Sequence, residues 1–312
     1  MNLFDVASLK VNKPLMSHSW FRAPGTTRQV FVRRARLIWC LVILPLAWPA
    51  SVSANWMFDG KSGFLYDSNI SRSNRSPDVL DDLAWKTTAT AGYGWQLTDD
   101  LRLSLLGELE SHVWFTYEDL SNFSPSLSGN LRYRFGLGAN APWIRSETKL
   151  SYTEVREDRR SGMGFRQGLR IGKNFTERLS ADIAYLFDYF GADDVIFDQT
   201  GHSGSAHLNF SLTSSTQLSA GYSFRHGDVI SHGVPPRPDI VSLASAFGPV
   251  TTFNTPYTAY RFDASTHALA AAASHSLNSF AAIQVGYEWQ HTERDHLTYI
   301  NHIVEARFAI SF

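Results

Sequence analysis

The sequence predicts an all-β fold: a transmembrane, antiparallel, up-and-down β-barrel of about twelve strands, with ten and fourteen as the neighbouring even counts. Three observations carry this. Apolar and polar residues alternate with period two through most of the chain, short connections alternate with long ones, and the last residues form a strand with one apolar face that ends on Phe312.

Composition sets the outer limits. Charged residues make up 18% of the 312 positions and the formal net charge is −1, so nothing favours nucleic acid as a partner. Aromatic residues reach 13%, with 9 Trp, 12 Tyr and 21 Phe. That is high for a soluble domain and suits a wall of strands that shows only every second residue to lipid. Beyond residue 54 no apolar run approaches the roughly 18 residues a spanning helix needs, which excludes a helical membrane protein for that part of the chain.

The N-terminal segment reads as an export leader. Arg33, Arg34 and Arg36 precede the apolar run 37–48, and Val52 and Ala54 then occupy the −3 and −1 positions of a signal-peptidase site. Residues 1–54 are therefore expected to be the leader and 55–312 the barrel. Residues 1–32 exceed an ordinary n-region, which points to an upstream start or an extended leader. Cys40, the only cysteine, falls in this leader, so the barrel has no thiol for a disulfide, a zinc site or a nucleophile. Trp39 before Cys40 does not fit a lipoprotein signal.

From residue 63 the alternation marks strands with two unlike faces. Leu101, Leu103, Leu105, Gly107 and Leu109 oppose Arg102, Ser104, Glu108 and Glu110; Leu127, Leu131, Tyr133 and Phe135 oppose Ser128, Asn130, Arg132 and Arg134. Leu179, Ala181, Ile183, Tyr185, Phe187 and Tyr189 likewise oppose Ser180, Asp182 and Asp188. The pattern places strands near 63–73, 83–97, 101–117, 125–138, 143–156, 162–173, 179–190, 203–213, 217–225, 258–275, 279–291 and 298–312. Tight links at 98–100, 139–142, 174–178, 214–216 and 276–278 follow the even strands. Longer segments follow odd ones, the longest being 226–257. In bacterial barrels the short turns are periplasmic, which puts both termini in the periplasm.

Val304, Ala306, Phe308, Ile310 and Phe312 share the apolar face of the final strand, against Glu305, Arg307 and Ser311. Here the chain resembles Gram-negative outer-membrane proteins, whose last strand alternates in this way and ends in Phe. That resemblance implies an outer-membrane location and recognition by the barrel-assembly machinery, with lipid and lipopolysaccharide as surroundings. Tyr66-Asp67-Ser68-Asn69 resembles the opening strand of porin-like proteobacterial barrels and of the surface-lipoprotein assembly modifiers.

If apolar faces meet lipid, the polar faces line the lumen. Arg132, Arg134, Arg145, Lys149, Arg166 and Arg170 then form a basic stripe on three neighbouring strands, flanked by an acidic wall of Glu108, Glu110, Asp182 and Asp188. Such opposed walls order and select charged solutes. Twelve-stranded porins for acidic oligosaccharides are similar in strand count and stripe, which implies a channel for a small, anionic solute. The same charges could instead be cross-strand partners filling a narrow barrel, leaving a plugged interaction scaffold.

Asp263-x-Ser265-x-His267 is the one catalytic candidate, because the three share a strand face. Outer-membrane phospholipases and deacylases carry His-x-Ser; here the order is reversed, and same-face neighbours lie about 6.5–7 Å apart. The reading is therefore non-enzymatic, without a cofactor. His226, His232, His291 and His296 read as solvated loop residues and no metal is expected. Trp85, Trp95, Trp143, Tyr189, Tyr260 and Trp289 are expected in outward girdles. Gly162, Gly164, Gly168 and Gly172 share a strand face, which implies close side-chain packing or curvature.

Overall fold

A computed structural model describes residues 54–253 and 255–312; the expected leader, apart from Ala54, lies outside the described residues. The strands are β1 (Ala54–Asp67), β2 (Asp82–Gln96), β3 (Leu101–Trp114), β4 (Asn122–Arg134), β5 (Trp143–Val155), β6 (Gly162–Asn174) and β7 (Leu179–Ala192). They continue as β8 (Gln199–Ser211), β9 (Thr216–Gly233), β10 (Ala246–Val250), β11 (Tyr257–Ser276), β12 (Ala281–Arg294) and β13 (Leu297–Ser311). Twelve are long and antiparallel, each bonded to its chain neighbours, with β9 pairing β11 directly; β13 pairs with β1 and closes the barrel.

The alternation in sequence becomes the two faces of the wall. Leu103, Leu109 and Val113 of β3, Leu131 and Tyr133 of β4, Ile183 and Tyr185 of β7, and Val304 and Phe308 of β13 are exposed on the outside. In water such a surface would be unstable, since each exposed side chain forgoes about 1.5–3 kcal/mol of burial. A belt of this kind is a lipid-facing surface.

Most expected strand ends shift by up to four residues, and three features differ more. β1 is placed at Ala54–Asp67 rather than 63–73. After Asp67 the chain turns, because the Asp67 carboxylate takes two bonds from Arg72 and the Asn69 amide oxygen accepts from Ser73 N and Ser71 Oγ. β9 continues to Gly233 instead of ending at 225, and β10 is an additional short strand inside the expected 226–257 loop. β10 lies on the β12 side of β11, where β11 rises above the first β11–β12 pair, Ser265 and Glu293.

The extended β9 and β11 lean on loops from around the rim. Ile70, Leu120, Ile196, Phe197, Ile230, Val250, Phe253, Tyr257 and Ala259 form one buried cluster drawn from the β1–β2, β3–β4 and β7–β8 loops and from residues 230–259. The β5–β6 loop joins through Arg160, which lies over the Phe197 ring and donates to Thr252 Oγ1 at 2.8 Å. Burial holds the Arg160 guanidinium well below the ordinary arginine range. His232 is fully buried, its ring against Phe253 and its backbone N–H donating to Ser71 O, so it is no solvated loop residue. The result is a cap at the loop end of the barrel.

Arg237 locks this cap. Its side chain is 0% exposed and reaches Asp78 Oδ2 at 3.2 Å, Asn74 Oδ1 at 2.6 Å and Asp239 Oδ2 at 2.8 Å. Removing one partner of a buried pair strands the other charge, at a cost of about 3–5 kcal/mol. Arg237→Ala is expected to speed amide exchange in 68–81 and 234–253 while leaving the strands protected, which hydrogen-exchange mass spectrometry reads directly.

The bond from Arg237 also holds the Asp239 carboxyl below its usual value. A depressed carboxyl contributes stability above its unfolded value, about 3.9, and loses it as pH falls through the folded value. The cap is therefore expected to loosen only below about pH 4, as faster proteolysis within 234–253, and Asp239→Asn to show that behaviour at neutral pH.

Candidate functional site

The strand registers place all ten residues of the basic stripe and acidic wall on the inner face. Glu108 and Glu110 share the lumen side of β3; Arg132 and Arg134 that of β4; Arg145 and Lys149 that of β5; Arg166 and Arg170 that of β6; Asp182 and Asp188 that of β7. They are not two separate walls. Lys149 Nζ donates to Glu108 Oε1 at 2.7 Å across β4, and Arg170 is bonded to Asp182. Arg134 Nε lies 3.4 Å from Asp100 Oδ1, and Arg145 Nη2 lies 3.2 Å from Glu147 Oε2.

Sequence reading missed three members of this network. Lys86 of β2 pairs with Glu110 at 3.3 Å, and Arg225 of β9 pairs with Asp188 at 2.9 Å. The third is Arg102, whose register is the most informative feature of the lumen. Arg102 of β3 stands opposite Arg132 of β4, Arg132 opposite Arg145 of β5, and Arg145 opposite Arg170 of β6. Four arginines thus occupy one level of four adjacent strands, near the short turns. The signal was present, since Arg102 already alternated with the β3 leucines.

Within this rung the charges are unevenly matched. Arg170 has Asp182 and Arg145 has Glu147. Arg132 instead lies over the Trp143 ring at 4.6 Å, and Arg102 donates to Met57 Sδ at 3.5 Å. Among the described residues neither has a carboxylate within ion-pair distance, and both are exposed. Guanidiniums about 6 Å apart repel by roughly 0.7 kcal/mol in water and roughly 3 kcal/mol at an effective dielectric constant of 20. The rung is therefore tolerated where water and mobile anions reach it, and it attracts anions there.

Trp143 corrects one expectation: it faces the lumen beneath Arg132, not the outer girdle. Gly172 permits this, because a Cβ at that position would meet the Trp143 ring at 2.4 Å. Tyr260 also leaves the girdle, being 1% exposed and packed with Ile240, Phe262 and Tyr299. Gly172→Val is expected to displace the Trp143 ring, read as a shift in tryptophan emission with a loss of about 1–3 kcal/mol in urea unfolding.

The catalytic candidate does not assemble. Asp263, Ser265 and His267 all lie on the outer face of β11. His267 Nδ1 bonds the Tyr222 hydroxyl at 2.8 Å, Ser265 Oγ contacts His226 Nδ1 at 3.3 Å, and Asp263 is taken by Arg294. Cross-strand neighbours, about 5 Å away, outcompete same-strand neighbours at about 7 Å. His226 and His291 belong to β9 and β12 rather than to loops. Among the described residues no group of three His, Asp or Glu side chains is arranged to hold a metal ion.

A closed antiparallel barrel with an apolar belt outside and a charged wall inside is a transmembrane β-barrel. No family model matches the sequence, and no curated protein matches it. Among solved structures the chain is similar to the COG4313 outer membrane channel from Pseudomonas putida F1, at 11% identity and a TM-score of 0.49, over 85% of this chain and 97% of that one. It is also similar to the KdgM porin in complex with disordered oligogalacturonate, at 11% identity and a TM-score of 0.39, over 82% and 99% of the two chains. A third likeness is to an anion-selective porin from Comamonas acidovorans, at 8% identity and a TM-score of 0.42, over 84% and 100%.

Proposed function

We propose that this protein is a porin-like channel of a Gram-negative outer membrane that passes a small anionic solute, with both termini in the periplasm. The observation that carries the reading is the rung Arg102, Arg132, Arg145 and Arg170, in which two guanidiniums have no carboxylate within ion-pair distance among the described residues. On this reading the rung sits at the periplasmic mouth and the cap at the extracellular one, since short turns belong on the periplasmic side. The outward Val304, Ala306, Phe308, Ile310 and Phe312 face supports recognition of the last strand by the barrel-assembly machinery.

The cap favours one second reading, a closed barrel that displays its loops to a partner. Planar-bilayer recordings separate the two. Wild-type protein is expected to conduct weakly, and replacement of 234–256 by a short glycine turn to raise conductance several-fold with anions preferred. Each unpaired arginine contributes about 0.7 kcal/mol in water, a factor of about three. Arg102→Ala and Arg132→Ala are each expected to lower the anion-to-cation permeability ratio by about that factor. Silence of both the wild type and the uncapped variant would remove the channel reading. Hydrolysis of a lipid or peptide ester that Ser265→Ala abolished would reopen an enzymatic one.

A further inference from the structure

The outer face carries a threefold repeat that the channel does not use. Tyr185, Tyr222 and Tyr287 are each the seventh residue of their strand, β7, β9 and β12. His202, His267 and His302 are each the tenth residue from the end of the next long strand, β8, β11 and β13. The Tyr hydroxyl and His Nδ1 are 2.7, 2.8 and 2.8 Å apart in the three pairs. The rings lie 6.1, 6.2 and 6.1 Å apart at interplanar angles of 31°, 33° and 25°. Opposite each histidine stands the aromatic residue two places beyond the tyrosine: Phe187, Phe224 and Trp289.

Depth and chemistry both point to a ligand. Nine residue steps above the strand end correspond to about 30 Å along the strand. At a tilt of about 40° this is ~23 Å along the barrel axis, close to the ~25 Å height of an apolar belt. The histidines therefore stand at the headgroup level, with the tyrosine rings just inside the hydrocarbon. A phenol donating to Nδ1 fixes the imidazole proton on Nε2, and an imidazolium donates from both nitrogens. In both of these forms Nε2, the ring nitrogen not engaged by the tyrosine, carries an N–H able to donate to a headgroup oxygen.

Successive pairs are two strands apart, about 10 Å across the sheet. Nearby carboxylates are engaged: Asp263 by Arg294, and Asp228 by Arg261 at 3.8 Å. Glu293 lies 3.9 Å from His291 Nε2. An outward N–H gains most from an anionic oxygen, and the headgroup level of a Gram-negative outer leaflet supplies phosphate.

We propose that the three Tyr–His pairs form an interfacial site for the phosphorylated headgroup of the outer-leaflet lipid, one headgroup with two phosphates bridging neighbouring pairs. The proposal rests on the outer-membrane reading but not on conduction. The test uses refolded barrel in detergent, titrated with bisphosphorylated lipid A or its dephosphorylated form and followed by native mass spectrometry. Wild type is expected to retain the phosphorylated lipid about tenfold better. Combined replacement of His202, His267 and His302 by Phe is expected to abolish that preference. Tyr185→Phe, Tyr222→Phe and Tyr287→Phe together, which delete only three hydroxyls, are expected to weaken it and cover the case in which the histidine variant does not fold. Equal retention of both lipids by wild type, or an undiminished preference in either folded variant, overturns the site. A barrel that conducts without discriminating lipids loses only this proposal; one that discriminates without conducting loses only the channel.

Discussion

Closure of β13 onto β1 is the constraint on which the rest of the structure depends. In hydrocarbon an unpaired backbone N–H or C=O costs several kcal/mol, so a sheet can cross a bilayer only if it has no free edge. The register Asp59 to Ser311 through Asp67 to Ile303 removes that edge, and Phe58 and Phe312 exchange both backbone bonds at its lower end. Closure also fixes the face of every residue. Once β1 and β13 agree on which side chains point outward, each antiparallel neighbour inherits the same choice around the ring.

That inheritance explains what was legible in the sequence. Face assignment needs only period two, so the lumen positions of Arg132, Lys149 and Asp188 could be read without knowing any partner. Strand ends follow other rules. Tyr66 to Ser71 continues to alternate, yet the chain leaves the sheet after Asp67 because the Arg72 and Asn69 side chains satisfy its backbone and carboxylate more locally. The opposite error occurred at β9, where Gly227 and Asp228 looked like loop residues. Gly227 instead tolerates a φ of +158° and an approach to Thr200 O that a side chain would block.

Pairing is where sequence reading failed most, for a geometric reason. Asp263, Ser265 and His267 are close in sequence, but their side-chain partners come from β12 and β9, at separations of 31, 39 and 45 positions. The Tyr–His repeat was missed for the same reason. Its trace is the recurring Tyr-x-aromatic of Tyr185-Leu186-Phe187, Tyr222-Ser223-Phe224 and Tyr287-Glu288-Trp289. The trace becomes informative only when the strands are counted from their turn ends. Trp143 and Tyr260 escaped for a different reason: an aromatic near a strand end fits a girdle equally well whichever face it occupies.

The two ends of the barrel treat arginine in opposite ways, and the contrast says where water is. At the loop end Arg237 is dry and is matched by Asp78, Asp239 and Asn74, as a buried cation must be. At the turn end Arg102 and Arg132 are exposed, have no carboxylate within ion-pair distance among the described residues, and face two further arginines at the same level. An arrangement that repels by roughly 3 kcal/mol per contact at an effective dielectric constant of 20 costs under about 1 kcal/mol in water. The charge pattern therefore fits solvent around the arginines at the turn end and a dry, closely packed cluster among the loops at the other.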